Sequence, residues 1–184
     1  MTTFFVYIAA SVDGFIARPD GSLDWLPGAT PDSPAMPPED HGYDAFMARV
    51  DTVVMGRGTF DTVRDFVPWP YLGKRVVVLS RTLTAADLPA HLTGQVEVHP
   101  GPVEALAESL AGARGVYVDG GQTIQAFLRA GRIDELIVTR IPVLLGQGRP
   151  LFGALDADVP LRHVGTQAFP SGFVQSTYRP VHPG

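Results

Sequence analysis

The sequence predicts an α/β fold, one domain over residues 1–184, with a central, mostly parallel sheet and a C-terminal antiparallel hairpin. Three observations predict it. Short β-branched or aromatic runs recur along the chain, helical stretches separate most of them, and after Pro160 the helices stop. Apolar strands joined by helical crossovers are expected in a parallel sheet covered on both faces. With 184 residues, 45% hydrophobic and 18% charged, the chain is long enough for one sizeable core and short for two domains.

Taken in order, strands are predicted at 4–10, 52–55, 75–80, 95–99, 115–118 and 136–141. The run up to Ser11 lacks a basic leader and meets Asp13 well short of membrane-spanning length. It therefore reads as a first buried strand, and the cytoplasm is the default location. Helices are predicted at 39–50, 59–65, 103–110 and 123–130; the third carries Val103, Leu106, Ala107 and Leu110 at i, i+3, i+4, i+7. Segment 26–40 holds Pro27, Pro31, Pro34, Pro37 and Pro38 with Gly28, a composition that supports neither helix interior nor central strand. It is a long loop, and both a lid beside the site and a flexible excursion fit it. Segments 161–168 and 173–179, joined through Phe169-Pro170-Ser171-Gly172, form the terminal hairpin.

Composition excludes several functions. A net charge of −5 provides no basic field for a polyphosphate backbone, so nucleic acid is not an expected partner. The absence of cysteine removes disulfides, thiolate nucleophiles and cysteine-ligated metals. His41, His91, His99, His163 and His182 are scattered without ligand spacing, so no metal site is expected.

The informative segments follow strands. Strand 52–55 runs into Gly56-Arg57-Gly58-Thr59-Phe60, where glycines let the backbone approach a ligand and a following helix presents free amides. Arg57 adds a charged fork, and Thr59 either caps the helix or donates to an oxygen. The same segment reads equally as a plain strand-to-helix turn. Val118-Asp119-Gly120-Gly121-Gln122-Thr123 repeats the logic, and in an open parallel sheet two such turns converge on one pyrophosphate beyond the carboxyl ends of the strands. Neither has G-x-G-x-x-G spacing, and no glycine-rich run ends in Gly-Lys-Ser/Thr. Strand 75–80 ends in Ser80-Arg81-Thr82, which suits a phosphomonoester, although a solvated strand-end arginine fits as well. Ala9 and Ala10 leave room for a flat ring, and Asp13 either faces it or bonds within its own Asp-Gly turn. Trp25 closes over a ligand or joins the core.

Taken together, Ala9-Ala10, Asp13-Gly14, Ile16, Trp25, Val54-Met55-Gly56-Arg57-Gly58-Thr59-Phe60, Leu79-Ser80-Arg81 and Gly120-Gly121 resemble the dihydrofolate-reductase superfamily in order and spacing, over most of the chain. Ser11-Val12-Asp13-Gly14-Phe15-Ile16-Ala17, Asp51, and Pro142-Val143-Leu144-Leu145-Gly146-Gln147-Gly148-Arg149-Pro150-Leu151-Phe152 are similar to one branch. That branch comprises the reductase domain of bifunctional riboflavin-biosynthesis enzymes and its stand-alone relatives. The resemblance implies a dihydrofolate-reductase-like three-layer fold with NADPH laid across the strand ends. Gly56, Arg57, Gly58, Thr59, Ser80 and Arg81 would then meet the pyrophosphate and 2′-phosphate. Gly120, Gly121, Gln122 and Thr123 would form the second phosphate turn, with a cis Gly120–Gly121 peptide, and Ala9, Ala10 and Ile16 would line the nicotinamide.

The same resemblance implies a carboxylate proton donor on the helix before the Met-Gly-Arg turn. Counting back reaches Asp40; Asp44 lies one helical turn later, and Thr139 matches a position near that carboxylate. Acids in a first helical turn are also favoured by the helix dipole alone. Asp13, Trp25, Arg149, Leu151 and Phe152, with Arg140, would shape the substrate end, although a surface salt bridge also explains Arg149. The reaction implied is NADPH-dependent reduction of a C=N or C=O bond, resembling 5-amino-6-(5-phosphoribosylamino)uracil reductase, by a homodimer. Dihydrofolate reductase and a non-catalytic NADPH-binding module are the competing readings.

Overall fold

The computed structural model describes residues 1–29 and 32–181. Pro31 of the proline-rich segment and His182 lie outside the described residues. Among those described, parallel strands β1 (Thr3–Ser11), β3 (Thr52–Gly56), β4 (Arg75–Leu79), β5 (Val96–His99), β6 (Gly115–Asp119) and β7 (Glu135–Ile141) form most of one sheet. The antiparallel hairpin β9 (Leu161–Ala168) and β10 (Val174–Pro180) extends it, in the order β5-β4-β3-β6-β1-β7-β10-β9. A second, two-stranded sheet pairs β2 (Phe15–Ala17) with β8 (Arg149–Pro150). No periodic pattern announced that pair, because strands of three and two residues are too short to show one.

Strand alternation sends successive side chains to opposite faces, and helices cover both. On one face α1 (Tyr43–Met47) and α2 (Arg57–Val63) bring Phe46 and Phe60 against Phe5, Val53, Met55, Val76 and Tyr117. On the other, α3 (Val103–Ser109) and α4 (Gly121–Arg129) bring Leu106, Leu110, Ile124 and Phe127 against Phe4, Val6, Val54, Val77 and Val116. The result is the predicted three-layer α/β arrangement.

Three predicted boundaries are corrected. The helix expected over 39–50 shrinks to α1, because His41 adopts φ 54° and Gly42 φ 82°, left-handed values that no helix interior accepts. Asp40 therefore stands outside the helix rather than one turn from Asp44. The helix after β3 begins at Arg57 with extended Gly56 as its cap, so Thr59 lies inside it and is not the N-cap. Likewise α4 starts at Gly121, two residues before the expected 123.

Phe127 is fully buried, with its ring centroid 5.7 Å from that of Phe4. Phe127→Ala is expected to cost about 3–5 kcal/mol, read as a lower urea midpoint at unchanged m-value. A loss below 1 kcal/mol would show that α4 does not anchor this face.

Candidate functional site

The carboxyl ends of β3 and β6 lie side by side, with Met55 opposite Asp119, so the two glycine turns emerge next to each other. They interlock. A Cβ on Gly56 would come within 2.7 Å of Thr123 Oγ1, and one on Gly120 would collide with Thr59 Oγ1. A Cβ on Gly121 would meet Ile16 Cδ1 at 2.7 Å. Each turn thus presses its threonine against the other turn's glycine, and β2 closes over the second. The expected cis Gly120–Gly121 bond is not found: the cis peptide among the described residues is Val67–Pro68. Gly120 makes the turn through φ 88° instead, a conformation open to a residue without Cβ.

Around this junction the remaining cofactor-side residues spread out. Arg57 Nε bonds Asp61 Oδ2 at 2.7 Å along α2, while Gly58 borders open space and Gln122 is exposed at the start of α4. Ser80 is buried and spends its hydroxyl on the Leu83 amide at 3.1 Å, turning the chain so that Arg81 stands exposed beyond β4. Ala10 is sealed in the core beneath the sheet; Ala9, on the other face, stays half-buried beside Trp25.

The residues expected at the substrate end do not form one group. Leu151 is fully buried in the core, Phe152 is exposed, and Arg149 leans on Gly21 with Nε 3.4 Å from the Pro19 carbonyl. Asp13 accepts the Ser11 hydroxyl at 2.6 Å and the Gly146 amide at 2.7 Å, and Leu145 donates to it as well. It therefore clamps the loop after β7 to the end of β1, and the Ser11 hydroxyl holds its carboxyl below the usual carboxylate range. Arg140 Nη1 donates to the Ser11 carbonyl at 3.1 Å. Trp25 packs with Ile141 and Phe173, and its buried indole N–H has no partner among the described residues.

Thr139 is buried on β7, and its hydroxyl accepts the Gln175 amide at 3.0 Å. The same amide lies 3.1 Å from the His41 carbonyl, which also accepts the Tyr7 hydroxyl at 2.7 Å. Asp40 and Asp44 are both exposed; Asp40 Oδ1 accepts the Asp44 amide at 3.3 Å. Asp40 thus tethers the first turn of α1 from two residues before its Gly42 cap.

A different carboxylate has the environment of an acid. Asp119, the last residue of β6, is surrounded by protein yet keeps part of its surface open. Burial raises its pKa, opposed by the Gly120 amide at 2.8 Å and the Tyr71 hydroxyl at 3.3 Å. Tyr43, Tyr71 and Tyr117 face it: burial, then the Asp119 charge, pushes Tyr43 up to about 12 and raises the other two. A tyrosine-lined carboxyl with a raised pKa beside the glycine junction is suited to giving up a proton. The sequence carried one signal for it, a lone acid closing an otherwise apolar strand.

Comparison with known proteins agrees with this architecture. Residues 2–175 match the family model described as the RibD C-terminal domain. The uncharacterised protein YwjB of Bacillus subtilis is 36% identical over 168 residues, covering 89% of this chain and 90% of YwjB. The structure of a putative riboflavin biosynthesis protein from Shewanella sp. PV-4 superposes with a TM-score of 0.86 at 39% identity, covering 98% of this chain and 99% of that one. A dihydrofolate reductase from Enterococcus faecalis, complexed with NADP(H), shares the fold at a TM-score of 0.65 and 20% identity, covering 97% and 96% of the two chains.

The Asp119 environment has a measurable sign. Its folded pKa lies above the unfolded value, so its contribution to stability is present at low pH and is lost as pH rises through the folded pKa. Asp119→Asn, neutral throughout, should be more stable than the native chain at pH 8, with the gap closing on acidification in urea titrations. A variant less stable at pH 8 would mean that the carboxylate is held in its charged form.

Proposed function

The chain belongs to the RibD C-terminal domain family, and on that premise we propose that it is an NADPH-dependent reductase of a C=N or C=O bond. The substrate class is a pyrimidine ribosylamine phosphate of the 5-amino-6-(5-phosphoribosylamino)uracil kind. The observation that carries this reading is the interlock of the two glycine turns at the carboxyl ends of β3 and β6. A Cβ on Gly56 or Gly120 would push aside the threonine hydroxyl of the other turn, and a dinucleotide pyrophosphate needs those hydroxyls and the bare backbone in place. The Enterococcus faecalis enzyme of this fold is complexed with NADP(H), which favours the same cofactor here.

NADPH supplies hydride when bound. The chain's own residues do the rest. Amides at the start of α4, with the Thr59 and Thr123 hydroxyls, hold the pyrophosphate. Arg81, and Arg57 on leaving Asp61, meet the 2′-phosphate as guanidinium forks. Ala9 and Ile16 leave a flat slot for the ring, and β2 with Trp25 limits water. Asp119, whose carboxyl burial shifts toward the protonated form, delivers the proton. Thr139 is linked to Tyr7 through Gln175, and the Asp40 and Asp44 charges act on Tyr7 and Tyr43 from the surface. The reading includes a homodimer working in the cytoplasm, and light scattering tests the assembly.

Fluorescence titration is expected to favour NADPH over NADH, with Arg81→Ala weakening NADPH by about tenfold and leaving NADH unchanged. Asp119→Asn should lower kcat about 100- to 10,000-fold on the pyrimidine substrate. Equal affinity for both cofactors would remove the 2′-phosphate assignment. Oxidation of NADPH by dihydrofolate, with the pyrimidine inert, would overturn the substrate class, and tight NADPH binding without turnover of either would leave a binding module.

A further inference from the structure

At the opposite end of the sheet, where the parallel strands begin, the surface forms an open concavity of about 760 Å³ that the proposed reductase chemistry does not use. Its volume is that of a small-molecule site. Arg49, Arg114, Arg162 and Arg179 border it, against two carboxylates, Asp134 and Glu135. A chain with a net charge of −5 thus gathers a local positive excess in one concavity.

The arginines are organised rather than scattered. Glu135, with only 6% of its side chain exposed, receives Arg49 Nη2 at 3.0 Å and Arg179 Nη2 at 2.8 Å. Arg179 Nε donates to the same oxygen at 3.0 Å, which leaves three of its five N–H donors unspent. Arg49 lies over the Phe5 ring at 4.2 Å, and Arg114 Nη2 is held by the Ala48 carbonyl at 3.2 Å. Arg162 completes the ring from β9, directly opposite Arg179 on β10, and has no carboxylate partner among the described residues. Like charges paired across strands destabilise a hairpin. Two carboxylates, with Glu135 already shared by two arginines, do not offset four.

We propose that this concavity binds a small, multiply charged phosphate-bearing anion, which bridges the Arg162–Arg179 pair and engages the donors that Glu135 leaves free. Guanidinium forks match phosphate oxygens two at a time, and a partly enclosed site screens them less than open surface does. The site stands apart from the glycine turns, at the other ends of the strands, and does not depend on the reductase reading.

Inorganic pyrophosphate is the probe, titrated calorimetrically at 0.1 M salt into the full chain saturated with NADPH, so that the glycine turns are already occupied. Saturable binding is expected, about tenfold weaker in Arg162→Ala and lost in Arg162→Glu. Both changes fall on an exposed edge strand, and far-UV circular dichroism verifies the fold of each variant. Raising the salt to 0.5 M should weaken native binding. No saturable heat with the native chain, or binding that survives Arg162→Glu in a folded variant, would overturn the proposal.

Discussion

The site depends on two missing Cβ atoms. Gly56 and Gly120 let the turns after β3 and β6 close until the threonine of each touches the glycine of the other. Parallel pairing puts the two strand ends in register, but only bare backbone lets the loops beyond them share one small space. Everything proposed for the cofactor follows from that contact: amides brought together from two turns, β2 laid over Gly121 through Ile16, and open ground in front.

The same closure creates the acid. Because β6 ends at the junction, Asp119 sits among three tyrosines, where burial outweighs the amide and hydroxyl that favour its charge. Asp13, one strand away, has the opposite fate. It remains at the surface, accepts a hydroxyl and two amides, and serves as a structural clamp. Two aspartates at neighbouring strand ends are thus separated in role by solvation and hydrogen bonding. Four arginines also gather where the strands begin, away from the glycine turns at their finish.

Much of this was legible in sequence, for identifiable reasons. Runs such as Val76-Val77-Val78 announce strands buried on both faces, and the paired glycines after Val118 and Met55 mark the turns. Helix starts were harder, since Gly56 in extended conformation and Gly120 at φ 88° cap helices without the side chain that usually signals a start. His41 at φ 54° ended the expected long helix, and no local pattern forecasts a left-handed histidine held by Phe169, Phe173 and Gln175. Asp119 was missed because its chemistry comes from Tyr43 and Tyr71, which lie 76 and 48 positions earlier and meet it only in three dimensions. Leu151 and Ala10 looked like site residues by position; strand alternation turned Ala10 into the core, and Leu151, just past β8, is buried in the same cluster.

The central claim is that both glycine turns contact one dinucleotide. Amide resonances of the ¹⁵N-labelled chain, followed as NADPH is added, test it most directly. The account predicts saturable shifts at Gly56–Thr59 and Gly120–Thr123 with one common midpoint, and no matching shift at Arg162. Shifts confined to one turn, or different midpoints for the two, would contradict it.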